Sequence, residues 1–155
     1  MNPITATFWI LIGVSALCGG IIGFERQIRG KPAGIRTSIL ICVGTSVFVH
    51  LSTAFRGPTV DPTRVLGQVV TGIGFLGAGV IIAREGLVKG VTSAAVIWVL
   101  AGIGATIGFG YFSAAIALSA FTVAVLTGVQ LLENSIRRLR SGVHARDENC
   151  NTREE

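Results

Sequence analysis

Charged residues are scarce in this chain. Only 14% of its 155 residues are Asp, Glu, Lys or Arg, whereas 50% are hydrophobic, and the mean hydropathy is +0.69. A soluble domain usually carries about 25% charged residues, so five long apolar runs in so short a chain leave too little polar surface for a soluble protein. Proline is also rare, with 4 residues against 21 glycines, which excludes a collagen-like chain and disfavours a disordered linker.

Residues that form metal, redox or catalytic centres are few. The three cysteines have no metal-ligand spacing, since Cys18 and Cys42 fall in apolar segments and Cys150 in the polar tail, and an odd count argues against a disulfide framework. His50 stands alone near the end of an apolar segment, where a packing role is the simpler interpretation. No spacing suggests a nucleophile with a base and an orienting group, so we predict no enzyme activity, no catalytic residues and no cofactor.

Five apolar blocks dominate the rest of the sequence, at about residues 6–24, 38–55, 65–83, 91–109 and 112–132. Each would span roughly 27–32 Å as a helix, which matches the hydrocarbon core of a bilayer. None alternates with the two-residue period of a barrel strand. The prediction is an all-α membrane protein with a bundle of about five transmembrane helices in residues 1–132. Residues 133–155 are predicted to form a short cytoplasmic polar tail that extends the last helix and then becomes disordered.

Basic residues are divided unevenly between the two sides that alternating spans create. Eleven of the 13 Lys and Arg residues fall in the first connection, the third connection and the tail, and only Arg56 and Arg64 fall on the other side. The positive-inside rule therefore places the N-terminus outside and the C-terminus in the cytoplasm. This topology accounts for the basic excess, so the predicted partner is the lipid bilayer and no nucleic acid is needed.

Glycine clusters in "TGIGFLGAGVII", residues 71–82, which contains the spacing of a dinucleotide-binding fingerprint. That fingerprint requires a strand before it and an acid about 20 residues later, and the sequence has neither. Small residues instead allow close helix packing in a bilayer, or a helix that bends. The predicted packing positions on the third and first helices are Gly72, Gly74, Gly77, Gly79, Gly19 and Gly23. These small-residue faces favour self-association, so we expect a homo-oligomer, specifically a dimer.

The stretch "GFERQIRGKPAGIRTS", residues 23–38, is the first candidate interaction site. Its charged members are Glu25, Arg26, Arg29, Lys31 and Arg36. They are explained either by positive-inside anchoring, with Glu25 paired to a nearby arginine, or by docking of an anionic partner such as lipid headgroups. A later turn on the same side offers other pairings, of Glu25 with Arg84 or Lys89, or of Arg26 with Glu85.

The stretch "VDPTR", residues 60–64, is the second candidate. Asp61 is placed as the N-cap of the third helix, with Pro62 at its first position. The spacing puts four polar side chains on one face: Asp61, Arg64, Gln68 and Thr71. That face predicts either an interhelical hydrogen-bond stripe or an outward-facing binding site.

A divalent-cation pathway would need acids inside the membrane. Hard cations such as Mg²⁺ prefer carboxylate oxygens, but none of the eight acids lies at the middle of a predicted span. We therefore predict no metal site within one chain, which leaves a backbone-carbonyl filter or an oligomeric pore open.

Three motifs carry a family resemblance: "GGIIGFERQIRGKPAGIRT", "DPTRVLGQVVTGIGFLGAGVI" and "VKGVTSAAVIWVLAGIGATIG". In this order, over about residues 10–110, the chain resembles the membrane domain of the MgtC/SapB family. The resemblance implies a bacterial inner-membrane protein with about five spanning helices, linked to growth in low magnesium and to survival inside macrophages. It also implies regulation by protein contact, with inhibition of the F-type ATP synthase proposed for some members.

By position, the resemblance implies that the family's motif residues are Glu25, Arg26, Arg29, Gly30, Lys31, Pro32, Gly34, Arg36, Thr37, Asp61, Pro62, Arg64, Gln68, Gly72, Gly74, Phe75, Gly77, Ala78, Gly79, Gly90, Thr92, Ala94, Ala95 and Trp98. One departure concerns the end of the chain, because several members carry a folded cytoplasmic domain after the fifth helix and only about 23 polar residues follow Leu132 here, too few for such a domain. The sequence thus predicts a regulatory or interaction protein, and the alternative is a divalent-cation transporter or channel.

Overall fold

Five helices and one β-hairpin make up the part of the chain that the computed structural model describes, namely residues 6–54, 61, 63–84 and 87–151. For residues 54, 84, 87 and 133–151 the description covers the backbone alone. The elements are α1 (Ala6–Ile28), α2 (Ile35–Ala54), α3 (Thr63–Ala78), β1 (Ile82–Arg84), β2 (Leu87–Lys89), α4 (Val91–Gly108) and α5 (Phe112–Asn151).

Four segments of the described residues are long and apolar enough to cross a membrane: Ala6–Ile28, Ile35–Thr53, Val91–Gly108 and Phe112–Leu132. The prediction of a helical membrane protein is confirmed, but about five spanning helices were predicted and four helices of the described residues are long and apolar enough to span. The third helix differs, because α3 has 16 residues and covers only about 24 Å, less than a bilayer core of about 30 Å.

The third apolar block is shorter as a helix than predicted because its last residues form a turn and a strand. After Ala78 the backbone tightens, with Val80 N donating to Gly77 O at 3.3 Å and Ile81 N to Ala78 O at 3.1 Å. Strands β1 and β2 then pair antiparallel, with Ala83 opposite Val88. The assignment of residues 79–83 to a helix was wrong, since β-branched residues favour a strand although their hydropathy is that of a span.

Helix α2 lies between α1 and α4 in the core of the described fold. Gly19 and Gly23 of α1 approach the start of α2, while Gly104 and Gly108 of α4 approach its middle. Fully buried apolar side chains fill the space between these helices: Leu11, Cys18, Ile22, Cys42, Val49, Leu100, Ile103 and Ile107. Ser15 Oγ of α1 also donates to Ser46 Oγ of α2 at 2.9 Å, so a buried hydroxyl pair joins the two helices.

The chain divides into two compact units, residues 1–120 and 121–155. The described part of the second unit is the later part of α5, whose helical backbone continues to Asn151 and so includes residues that we assigned to the polar tail. The predicted domain boundary at residue 132 stays a prediction.

Candidate functional site

A buried group of charges lies at the end of α1. Glu25 is 8% exposed and Arg26 3%, although charged side chains are almost never this buried unless they are paired. Nε of Arg29, one turn along the same helix, lies 2.7 Å from Glu25 Oε1. The contact is a close ion pair without hydrogen-bond alignment, because neither carboxylate oxygen of Glu25 has a hydrogen-bond partner in the described part of the chain.

Arg26 links this group to the start of α4. Its Nη2 donates to Ser93 Oγ at 2.6 Å, across 67 positions of sequence. Within the described residues its Nε has no hydrogen-bond partner. The guanidinium therefore joins two helices, while one of its donors and the Glu25 carboxylate keep unused hydrogen-bonding capacity.

The connection from α1 to α2 is tightly folded. Lys31 N donates to Arg26 O at 3.0 Å, and Ser38 Oγ donates to Ala33 O at 3.0 Å. Ala33 has a φ of 62°, which is uncommon for a residue other than glycine. Lys31 and Arg36 are exposed at this turn, whereas the side chains of Glu25 and Arg26 are buried. Glu85, one of the alternative partners considered for Arg26, lies outside the described residues.

Asp61 occupies the N-cap position of α3. Its Oδ1 accepts hydrogen bonds from Thr63 N at 2.9 Å and from Thr63 Oγ1 at 2.7 Å. These two bonds, and more weakly the charge of Arg64, lower the pKa of the Asp61 carboxyl. Pro62, predicted at the first helical position, lies outside the described residues. The carboxylate is thus already engaged in starting the helix.

A cavity of about 740 Å³ lies between α2 and α3. Arg64 and Gln68 line it, whereas Asp61 and Thr71 do not, so the structure brings together two of the four polar residues predicted to share a face. Thr71 Oγ1 instead donates to Gly67 O at 3.0 Å within α3. Most of the remaining lining is apolar, and it comes from both helices.

The predicted packing glycines have different surroundings. A Cβ added at Gly19 would lie 2.6 Å from Ser38 O, and one at Gly23 would lie 2.6 Å from Ile35 Cα. At Gly77 it would make an ordinary 3.7 Å contact with Ala94, and at Gly72 and Gly74 it would meet nothing within 4 Å. Gly79 lies in the turn after α3, where the nearest atom would be Leu76 O of the same turn at 3.4 Å.

Sequence reasoning missed two close contacts on α4. A Cβ at Gly104 would lie 2.7 Å from Cys42 O, and one at Gly108 would lie 2.7 Å from Ser46 O. The signal was available, because these glycines are four residues apart and so share one face of the helix.

Together the fold and these polar groups define a multi-pass helical membrane protein with charged groups at the ends of its helices. The MgtC family model matches residues 12–135, four fifths of the chain. This chain belongs to the MgtC family.

Curated relatives agree with this assignment. "Putative magnesium transporter YhiD" of Escherichia coli strain K12 is 43% identical over 129 residues, which cover 79% of this chain and 60% of the relative. Protein MgtC of Brucella abortus strain 2308 is 44% identical over 124 residues, covering 80% of this chain and 51% of the relative. Protein MgtC of Salmonella typhimurium strain LT2 is 44% identical, covering 79% and 51%.

The chain therefore spans only about half to three fifths of the length of the curated relatives it matches. No solved structure matches it.

Proposed function

We propose that this protein is a regulatory protein of the bacterial inner membrane, linked to growth in low magnesium and to survival inside macrophages, which acts through contacts with other membrane proteins. Membership of the MgtC family supports the membrane location and the link to magnesium. The buried charges at the end of α1 support a regulatory role over ion transport. The N-terminus is proposed to lie outside and the C-terminus in the cytoplasm, from the distribution of basic residues.

The observation that carries the proposal is the charge balance around Glu25. Among the described residues, one buried carboxylate has Arg26 beside it in sequence and Arg29 in contact with it, so these three side chains carry two positive charges against one negative charge. Mg²⁺ dehydrates reluctantly and prefers several carboxylate oxygens. A cation that approached Glu25 would meet the guanidinium groups of Arg26 and Arg29, and Arg26 is held there by Ser93. The arrangement suits a contact between helices better than a cation pathway.

A surface on α3 suits contact with another helix. Gly74 leaves open space at the position of its missing side chain, and Phe75, the next residue, is 83% exposed. Small residues let two helix backbones approach closely in a bilayer. We propose that a second copy of the chain packs here to form a dimer, and that membrane partners such as the F-type ATP synthase, implied by the family resemblance, are contacted in the same way.

The second candidate function is Mg²⁺ transport, and the printed name of the Escherichia coli relative favours it. The two functions are separated by Mg²⁺ flux into sealed liposomes that hold the purified, folded chain, with Glu25→Gln and Asp61→Asn as variants. A regulator predicts no flux above protein-free liposomes. Saturable flux that either substitution abolishes would make that carboxylate part of a cation path and would overturn the proposal.

Self-association is tested by disulfide crosslinking in native membranes. The experiment compares Phe75→Cys on α3 with Leu17→Cys, a matched exposed position on α1, after replacement of Cys150 by Ser. A dimer through α3 predicts a crosslinked band from the Phe75 variant and little from the Leu17 variant. Monomer alone from both variants would count against the proposed dimer.

A further inference from the structure

The cavity between α2 and α3 has the length of one leaflet of a bilayer. Its lining runs from Thr37 to Phe48 on α2 and from Arg64 to Leu76 on α3. At a rise of 1.5 Å per residue these stretches are about 16–18 Å long, or roughly half of a hydrocarbon core of about 30 Å. The volume of about 740 Å³ lies within the range of ligand pockets, roughly 300–1,000 Å³.

The chemistry of the lining is asymmetric along this length. Among the residues that the structure describes, Arg64 is the one charged residue that lines the cavity, and Gln68 lies one turn further along the same helix. Arg64 forms no ion pair within the described residues, and the Oδ1 atom of nearby Asp61 is engaged by Thr63. The guanidinium is therefore available to a phosphate, which its planar set of donors fits well.

The cavity also lies within reach of lipid. Leu40 and Phe48, on the α2 wall, are 69% and 63% exposed. In a membrane these side chains contact acyl chains, so an amphiphile can enter sideways from the bilayer without crossing water. An apolar wall that ends at an arginine without an ion pair among the described residues is complementary to an anionic lipid.

We propose that the α2–α3 cavity binds one anionic phospholipid, with its phosphate at Arg64 and Gln68 and one acyl chain along the apolar wall. This inference is independent of the regulatory role proposed above, because it depends only on the cavity and the charge at one end of it.

Native mass spectrometry of the full chain in detergent tests the headgroup contact. The chain is titrated with phosphatidylglycerol and with phosphatidylcholine of the same acyl chains. One phosphatidylglycerol is expected to be retained in preference, and Arg64→Gln is expected to weaken its binding by about tenfold, the scale of one lost charged hydrogen bond. Lys89→Gln removes an exposed cation outside the cavity and is expected to leave binding unchanged. If Arg64→Gln preferred phosphatidylglycerol over phosphatidylcholine as strongly as the unsubstituted chain does, the proposal would be overturned.

A second variant tests the acyl-chain site. Gly44 lines the cavity, and an added Cβ there meets no atom within 4 Å, so the leucine of Gly44→Leu would occupy the cavity without a backbone clash. Loss of both lipids in this variant, with retention in Gly13→Leu on α1, is the expected result. Unchanged lipid retention in Gly44→Leu would contradict the proposal. The proposal would also be contradicted by a dimer that contains no bound lipid and that Gly44→Leu converts to monomer. In that case a second copy of the chain would occupy the cavity.

Discussion

At the scale of single residues, Gly19 is a position at which α1 lies very close to the backbone of α2. Alanine there would place its Cβ 2.6 Å from Ser38 O and 2.8 Å from Ile39 Cα, both of which are backbone atoms. Overpacking of this kind costs about 1–3 kcal/mol. We expect Gly19→Ala to lower the free energy of unfolding by that amount, as measured by titration with sodium dodecyl sulfate in mixed micelles.

Gly13 provides the control for this prediction. It lies on the same helix, and an added Cβ there has no atom within 4 Å. Gly13→Ala should be neutral or slightly stabilising, because alanine has the higher helix propensity. Equal losses of stability in the two variants would mean that the α1–α2 contact does not determine the effect.

Asp61 makes the stability of the start of α3 depend on pH. Its pKa is lowered from an ordinary value of 3.8, chiefly by the hydrogen bond from the Thr63 hydroxyl and then by that from the Thr63 backbone. A lowered folded pKa means that the stabilisation is fully present above the ordinary value and is lost as the pH falls through the folded value. The stability difference between the unsubstituted chain and Asp61→Ala should therefore shrink on strong acidification.

Asp61→Asn separates charge from capping in the same measurement. Asparagine is also a good N-cap, so this variant should keep most of the stabilisation at neutral pH and lose the dependence on acid. An Asn variant as unstable as the Ala variant at neutral pH would show that the charge, and not the cap, matters at this position.

At the scale of whole elements, the sequence predicted helices more reliably than the ends of helices. The predicted and observed ends of the fourth block agree to one residue, because Gly90 and Gly110 adopt positive φ angles on either side of α4. The predicted end of the third block was wrong, because the turn after Ala78 and the hairpin depend on pairing between β1 and β2. Hydropathy does not report such pairing.

Gly90 provides a test of the join between the hairpin and α4. Its φ is 94°, and an added Cβ would collide with Val80 O. Gly110 has a similar φ of 88° but has no atom within 4 Å of an added Cβ. Gly110→Ala should therefore cost only about 1 kcal/mol, the penalty of a left-handed backbone. Gly90→Ala should cost clearly more, because the collision adds to that penalty.

Detergent titrations of both variants, with circular dichroism as the signal, measure the difference. If Gly90→Ala is no less stable than Gly110→Ala, the hairpin does not hold Val80 against the start of α4 in solution.

At the scale of the whole molecule, the candidate sites were predictable only where they are local in sequence. The pairing of Glu25 with an arginine follows from helical spacing, since Arg29 is four residues away. The bond from Arg26 to Ser93 joins residues 67 positions apart, and no periodicity connects them. The cavity at Arg64 likewise depends on how far α3 lies from α2, which one sequence does not encode in any short pattern.

The hydrogen bond between Arg26 and Ser93 helps to define the direction of each helix. It brings the end of α1 to the start of α4, so the α1–α2 connection and the hairpin lie at one end of these helices. Gly104 and Gly108 meet Cys42 and Ser46 in the same order along the chain, so α2 and α4 run in parallel. The chain must therefore return between them, and α3 is the described helix that makes this return despite its 16 residues.

With the ends grouped in this way, the charge distribution predicts which end is cytoplasmic. The α1–α2 connection contains Lys31, exposed and among several arginines, whereas the α4–α5 connection has no basic residue and contains Tyr111, which is 66% exposed. In a chain with Cys150→Ser, Tyr111→Cys should react with a membrane-impermeant maleimide in intact cells with a permeable outer membrane, and Lys31→Cys only after lysis. Cys18 and Cys42 are buried and should stay unlabelled in both variants.

The opposite labelling pattern would place the basic connections outside and contradict the proposed topology. Labelling of both introduced cysteines in intact cells would mean that the two connections are not separated by the membrane.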